Sequence, residues 1–337
     1  MTSNVIFAIA VFGGAYLLTG LVRRFALQSN MVDVPNERSS HNVVTPRGGG
    51  VAIVLVFTVV LLYWGLATDS ALNPLIALGG ALPVAAIGYL DDRFGMSVSI
   101  RMLVHVLASG WFVYWVSPVA PVPSLTFVVW DSWVLDVMAV LWMVALLNFY
   151  NFMDGIDGLA GVEGVTVGFG AATLAMLNGD SQSAFLIALL ACSVSGFLIW
   201  NWPPARIFMG DVGSGFVGFT FAGLAVVTHD NGALVIWSWL ILLGLFLVDA
   251  IVTLLRRMIR GDRIHEAHRT HAYQRATRRF GSHRPVTIAA AAINLFWLLP
   301  FAWVAAANPS WGPVVLILAW SPLVAVAFWL GAGRPDP

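Results

Sequence analysis

Apolar residues run along this chain in blocks of about 20, the length an α-helix needs to cross the hydrocarbon layer of a bilayer. Eleven such blocks are legible, at residues 4–22, 49–67, 72–90, 99–117, 133–150, 159–177, 183–200, 213–228, 233–255, 286–307 and 312–331. Polar and charged residues collect in the gaps between them. The predicted class is all-α, a polytopic integral membrane protein of about 11 transmembrane helices. It reads as a single transmembrane domain over residues 1–337, with no internal repeat and no low-complexity segment.

Composition agrees with this pattern. Hydrophobic residues make up 59% of the chain and charged residues 10%, and the mean hydropathy is +0.84, well outside the range of soluble domains. The 15 Trp and 21 Phe suit the aromatic belts of a bilayer protein. Cys192 is the single cysteine, so no disulfide forms within the chain. The net charge is zero and by itself says nothing about partners; no nucleic-acid partner is expected. The first span carries its charges, Arg23 and Arg24, after the apolar block, which is the wrong order for a cleavable signal peptide.

Charge distribution adds orientation. All 17 basic residues are Arg. They fall after spans one, three, seven, nine and eleven, and none follows spans two, four, six, eight or ten. Positive residues mark cytoplasmic loops, so the N-terminus is expected outside and the C-terminus in the cytoplasm. The loops 23–48, 91–99, 148–158, 201–212 and 256–285 then share the cytoplasmic side.

These same loops carry the chemistry. Residues 148–159 read Asn-Phe-Tyr-Asn-Phe-Met-Asp-Gly-Ile-Asp-Gly-Leu. Two amides and two carboxylates at the end of a span are expensive unless they line a cavity or do chemistry. Asp154 and Asp157 share a face if the turn is helical, and such hard oxygen ligands point to Mg²⁺, with Mn²⁺ as the alternative. Span three ends in Asp91-Asp92-Arg93, two carboxylates placed against the helix dipole. Arg93 and Arg101 are expected to offset them. Asp211 opens span eight after Phe208-Met209-Gly210. There a helix start offers free N–H groups to phosphate, Asp211 can hold a bridging metal, and Phe208 can stack on a base. The plain alternative is an N-cap.

Two further loops complete the set. Arg38, His41 and Arg47 give the first loop an anion-binding character, with Gly48 to Gly50 offering backbone N–H groups to a phosphate. The loop from Arg256 to Arg284 holds His265, His268 and His271, then Tyr273, Gln274 and Arg275. His265-Glu266-Ala267-His268 is one residue short of the zinc-protease pattern, which disfavours a zinc hydrolase. A basic patch on the membrane surface is the bland reading of this loop. His105, deep in span four, reads as a packing histidine. Glu163 reads as support one turn beyond Asp157, and Asp249 as a buried polar contact or a second intramembrane carboxylate.

Five blocks in order carry a resemblance. They are Asp33-x-Pro-x-x-Arg38 with Thr45-Pro-x-Gly-Gly49, Asp91-Asp92, Asn148-x-x-Asn-x-x-Asp-Gly-x-Asp-Gly158, Phe208-Met-Gly-Asp-x-Gly-Ser214, and the His-rich loop ending at Gln274. Together they resemble the polyprenyl-phosphate N-acetylhexosamine-1-phosphate transferase superfamily. The resemblance implies a fold of ten or eleven helices, dependence on Mg²⁺, a UDP-sugar donor and undecaprenyl phosphate as acceptor, within the bacterial inner membrane. It implies Asp211 as metal ligand with Asp154 beside it, and Phe208 as the uracil-stacking aromatic. Asp91 and Asp92 match the pair tied to acceptor activation, and Asp154, Asp157 and His271 join them as catalytic residues. Arg38, His41, Arg47, Asn148, Asn151, His268, Tyr273, Gln274 and Arg275 fall to substrate binding. Arg101 stands where a Lys is common. His268-Arg-Thr-His271 departs from the adjacent histidines of the peptidoglycan enzyme and resembles the branch that starts O-antigen and lipopolysaccharide.

The expected reaction moves a sugar 1-phosphate from a UDP-sugar to a lipid phosphate, releasing UMP. The rival from another class is an ion-coupled transporter, which would place carboxylates at the bilayer midplane in an inverted repeat. A CDP-alcohol phosphotransferase would need a different aspartate spacing. Membrane lipid is the remaining partner, and a homodimer is left open.

Overall fold

The structure, a computed structural model, describes residues 2–35, 43–67, 72–122, 131–262 and 268–335. Arg38, His41 and His265 lie outside the described residues. Among the described residues the fold is helical but for one two-stranded pairing. The two short strands β1 (Val32–Asp33) and β2 (Thr45–Pro46) pair antiparallel in the loop after α1 (Thr2–Gln28).

The helices follow the apolar blocks. They are α2 (Gly50–Ala67), α3 (Leu72–Leu78), α4 (Ala81–Phe94), α5 (Val98–Val116), α6 (Ser132–Phe152), α7 (Leu159–Leu177), α8 (Ser181–Asn201), α9 (Asp211–Asp230), α10 (Ile236–Leu242), α11 (Gly244–Ile259), α12 (Ala272–Phe280), α13 (His283–Ile293), α14 (Leu299–Ala307) and α15 (Gly312–Leu330). Among the described residues nine helical segments are long and apolar enough to cross a membrane. The bent pair α10 and α11 makes a tenth, and the shorter apolar helix α2 covers the remaining block.

One expected span takes a different shape. Residues 233–255 do not form one straight helix. The chain bends by 75° between α10 and α11. At the bend, Gly244 leaves room for the Trp320 ring of α15, which a Cβ would strike. Trp320 also donates to the Leu240 carbonyl at 3.2 Å, so the break is held from outside by packing.

Helix α9 is the axis of the bundle. Its residues from Val212 to Val226 are all buried, and α4, α6 and α2 pack against it. Small residues let the backbones close, as membrane helix pairs require without a hydrophobic drive between them. A Cβ on Gly50 would meet the backbone of Gly213, and one on Gly218 would meet Leu147 and Tyr150.

Loops sort to two ends. Gly49 N donates to the Phe208 carbonyl (2.9 Å), Ala205 N to Asp157 (3.0 Å), and Tyr273 Oη to the Phe152 carbonyl (3.0 Å). These join four of the Arg-bearing or acidic loops at one end. The other end carries its own contacts, with Ala120 N on Asp230 and Asn231 on Asp180.

Candidate active site

The loop end of the bundle holds two clefts on either side of the Asp154 turn. The first, of about 650 Å³, runs between α4, α5, α6, α9 and α11, with Arg101, Asn148, Asn151, Asp211, His268 and His271 among its lining residues. Apart from these and His105 its walls are apolar, including Val98, Met102, Val144 and Leu254. The second, of about 580 Å³, lies outside the spans. Asp157, Phe208, Gln274, Arg278, His283 and Arg284 line it.

Arg101 organises the carboxylates of the first cleft. Its Nη1 lies 2.6 Å from Asp91 Oδ2 and 2.9 Å from Asp211 Oδ2. One guanidinium thus bridges two carboxylates from different helices. Asp91 Oδ1 also accepts from Met96 N at 2.5 Å, which ties it to the α4–α5 turn.

Asp92 has a different task from its neighbour. Grouped with the catalytic carboxylates by sequence, it caps α9 in the fold. Its two oxygens accept from Asp211 N (3.1 Å) and Val212 N (3.2 Å), at the positive end of that helix. This is why two acidic residues are tolerated at the C-terminal end of α4. The next two amides, of Gly213 and Ser214, donate to the Gly210 carbonyl. The start of α9 therefore has no free N–H groups for a phosphate. The amides of Gly49 and Gly50 are likewise taken, by the carbonyls of Phe208 and Met209, so these two glycines splice two loops together instead of cradling an anion.

The Asp154–Gly158 turn is built by close approach. A Cβ on Gly155 would collide with Tyr273 Oη, and Gly158 sits at φ +75°, a left-handed conformation that favours glycine. Asn201 clamps the turn, accepting from Gly158 N (2.9 Å) and donating to the Ile207 carbonyl (3.0 Å). Asp157 points to the second cleft, where Ala205 N donates to Oδ2 and His283 Nδ1 lies 3.2 Å from Oδ1. Asp154 faces the other carboxylates. Burial, then the charges of Asp211 and Asp92, push its carboxyl well above the ordinary range, with Arg47 opposing. No described residue donates a hydrogen bond to its carboxylate. Arg47 itself pairs with Asp33 at 2.6 Å. Asn151 Nδ2 donates to Ser214 Oγ at 2.9 Å.

The His-rich loop is held by Asp249, which the sequence presents only as a buried polar contact or a further intramembrane carboxylate. Asp249 Oδ1 accepts from Thr253 Oγ1 (3.0 Å) and Ala272 N (2.9 Å) and lies 3.1 Å from His271 Nδ1, while Oδ2 accepts from Tyr273 N (2.9 Å). This carboxylate sits on α11 just beyond the bend and fixes the ring of His271. His271 is buried and stacks between His268 and Tyr273, at 4.9 and 5.7 Å between ring centroids. Burial, then His271 and Arg257, push His268 down to about 4, so it is neutral at pH 7. Gln274 Oε1 accepts from His271 N at 3.2 Å and closes a capping box at the start of α12. Gln274 therefore builds the loop as well as bordering the second cleft, and Tyr273 builds the loop from within. Burial, then the charges of Asp249 and Asp154, raise the Tyr273 phenol well above its usual value. Arg275 lines neither cleft. Its Nη2 donates to the Arg334 and Pro335 carbonyls, which ties it to the C-terminal segment. The sequence signal for this anchoring role is the position of Asp249 one turn before Thr253 on a helix ending in Arg256-Arg257, a polar pair inside an apolar span.

Residues 74–229 match the sequence profile of glycosyl transferase family 4. The chain belongs to that family. The matched stretch contains Arg101, Asn151 and Asp211 of the first cleft, Asp157 of the second, and Asp91 and Asp154 beside them. Beyond it, this family-4 chain is 29% identical over 276 residues to a probable undecaprenyl-phosphate N-acetylglucosaminyl 1-phosphate transferase of Bacillus subtilis, covering 80% of this chain and 75% of the relative. It is 25% identical to an undecaprenyl-phosphate α-N-acetylglucosaminyl 1-phosphate transferase of Thermotoga maritima, over 85% of this chain and 86% of the relative. A decaprenyl-phosphate N-acetylglucosaminephosphotransferase of Mycobacterium leprae shares 28% identity over 81% of this chain and 76% of its own. With such bacterial relatives and its run of apolar helices, the family-4 chain is a multi-pass bacterial membrane protein.

Proposed function

We propose that this chain transfers N-acetylglucosamine 1-phosphate from UDP-N-acetylglucosamine to a polyprenyl phosphate at the cytoplasmic face of the membrane. The observation that carries the reading is the meeting of Asp91, Arg101, Asp154 and Asp211 where an apolar cleft between spans reaches the loops. A lipid phosphate enters such a cleft with its tail among Val98, Val144 and Leu254. The second cleft, with Phe208 and the basic residues Arg278, His283 and Arg284, suits a nucleotide.

The residues fit a magnesium ion. No group of three described side chains forms a metal cage. Mg²⁺ characteristically takes one or two carboxylates and completes its shell with substrate phosphates and water. Asp211 and Asp154 are the two that would hold it. The Arg101 guanidinium already places positive charge between Asp91 and Asp211, and the Asp154 carboxylate has no described donor. When bound, the ion would neutralise the diphosphate of the donor.

Chemistry at this site is displacement at phosphorus. An oxygen of the lipid phosphate attacks the β-phosphorus of the donor. The bond from that phosphorus to the bridging oxygen breaks, and UMP leaves. A phosphate monoester has its second pKa near 6, so the attacking group is already dianionic at pH 7 and no general base is required. Arg101 and Asn151 position the phosphates. His271, fixed by Asp249, closes the cleft from the loop side. The His268-Arg-Thr-His271 spacing supports a surface glycan of the O-antigen kind as the product's destination. Relatives with undecaprenyl and decaprenyl acceptors make acceptor length a quantity to measure.

The test is UMP release by the purified protein with Mg²⁺, polyprenyl phosphates of graded length, and UDP-N-acetylglucosamine, UDP-N-acetylgalactosamine or UDP-N-acetylmuramoyl-pentapeptide. Release with the first donor, abolished by a chelator, is expected. Release with the muramoyl donor alone would overturn the choice of sugar. No release with any donor would overturn the reaction.

A further inference from the structure

His105 belongs to the reacting cleft, not to the packing of α5. It lines the cleft that holds Arg101 and Asp211, and it stands one turn deeper than Arg101 on the same helix face. Asn148 decides its chemistry. The Asn148 amide nitrogen donates to the Val144 carbonyl at 2.7 Å, which identifies that atom as nitrogen. The same nitrogen lies 3.3 Å from His105 Nδ1. A donor facing Nδ1 requires a lone pair there, so the neutral ring carries its proton on Nε2. Among the described residues nothing accepts from that Nε2–H, and Nε2 is not one of the buried unpaired atoms. The ring thus presents a fixed N–H donor to open space in the cleft.

We propose that His105 is a substrate-contacting residue, whose Nε2–H donates to a phosphate oxygen of the lipid acceptor. The proposal rests on the transferase reading above. Three features select the acceptor over the nucleotide donor. The walls beside His105 are apolar and belong to membrane spans, the polar nucleotide cleft lies on the far side of the Asp154 turn, and His105 is deeper in its span than Arg101. An anion arriving from the lipid side therefore meets His105 on its way to Arg101. Asn148 acts as the positioning residue, holding the tautomer that can donate.

Wild type, His105→Leu and His105→Gln are compared as full-length protein, with KM measured separately for polyprenyl phosphate and for the UDP-sugar. Binding of polyprenyl phosphate is compared with that of the uncharged polyprenol. His105→Leu should raise the acceptor KM about ten- to a hundredfold, the worth of one hydrogen bond to a charged group. It should leave the donor KM unchanged and weaken the preference for phosphate over alcohol by the same factor. His105→Gln retains a neutral N–H donor and should recover most of the loss. Asn148→Leu frees the tautomer and should raise the acceptor KM severalfold. An unchanged acceptor KM in His105→Leu would overturn the inference. So would equal losses for both substrates with a lowered melting temperature and no rescue by Gln, the pattern of a packing residue. A wild type blind to the lipid phosphate would instead remove the transferase reading on which the inference stands.

Discussion

Asp249→Asn is the sharpest test of how the His-rich loop is held. The change preserves shape, removes the charge and turns one oxygen into a donor. Four donors converge on the carboxylate, from Thr253, His271, Ala272 and Tyr273. With the amide nitrogen in place of Oδ2, the Tyr273 N–H loses its acceptor and faces another donor. A buried amide left unpaired costs about 1–3 kcal/mol. The three remaining bonds lose charge assistance, about 1 kcal/mol each before non-additivity. The additive total is about 4–6 kcal/mol against docking of the first turn of α12, or roughly three to four and a half decades in the docking equilibrium. Hydrogen exchange should therefore accelerate at the Ala272 and Tyr273 amides, while exchange along α9, which shares no bond with Asp249, stays slow. Turnover should fall at least tenfold because His271 loses its fixed ring. Thr253→Val removes one donor only and should change both readouts far less. Wild-type turnover together with unchanged exchange at residues 272 and 273 would refute the assignment of Asp249 as the anchor.

Three further outcomes are expected. Asp211→Asn and Asp154→Asn should each abolish turnover in a protein that remains folded in detergent; near-normal rates at saturating Mg²⁺ would remove the metal site. Phe208→Ala should weaken UDP-sugar binding by about 1–3 kcal/mol, the worth of one base–aromatic stack, and an unchanged donor affinity would make Phe208 a packing residue. His268 is lowered from 6.5 to about 4 in the fold, so the unfolded chain takes up a proton there that the fold excludes. Stability from this group is present above pH 6.5 and is lost as pH falls toward 4, so His268→Gln should flatten the fall of the melting temperature across that window. An unchanged slope would contradict it.

The pattern of apolar blocks determined most of the architecture, because it is a local consequence of solvating a helix in lipid. A block of about 20 apolar residues has few other ways to satisfy its backbone. The grouping of Asp91, Asp154 and Asp211 was legible for the same reason, since loops that alternate across a membrane must meet on one side. What the chain could not disclose is which partner each polar group finds. Asp91 and Asp92 are adjacent and alike in sequence, yet one faces Arg101 and the other caps α9, because successive residues on a helix point about 100° apart toward different neighbours. Asp249 looks like any lone carboxylate in a span until α12 folds back onto it. His105 looks like core until α6 supplies Asn148 and the cleft opens beside it. The bend after Leu242 follows from the Trp320 ring, some eighty residues away. Each of these is decided by contacts between distant segments, whose geometry exists only once the bundle has closed around α9.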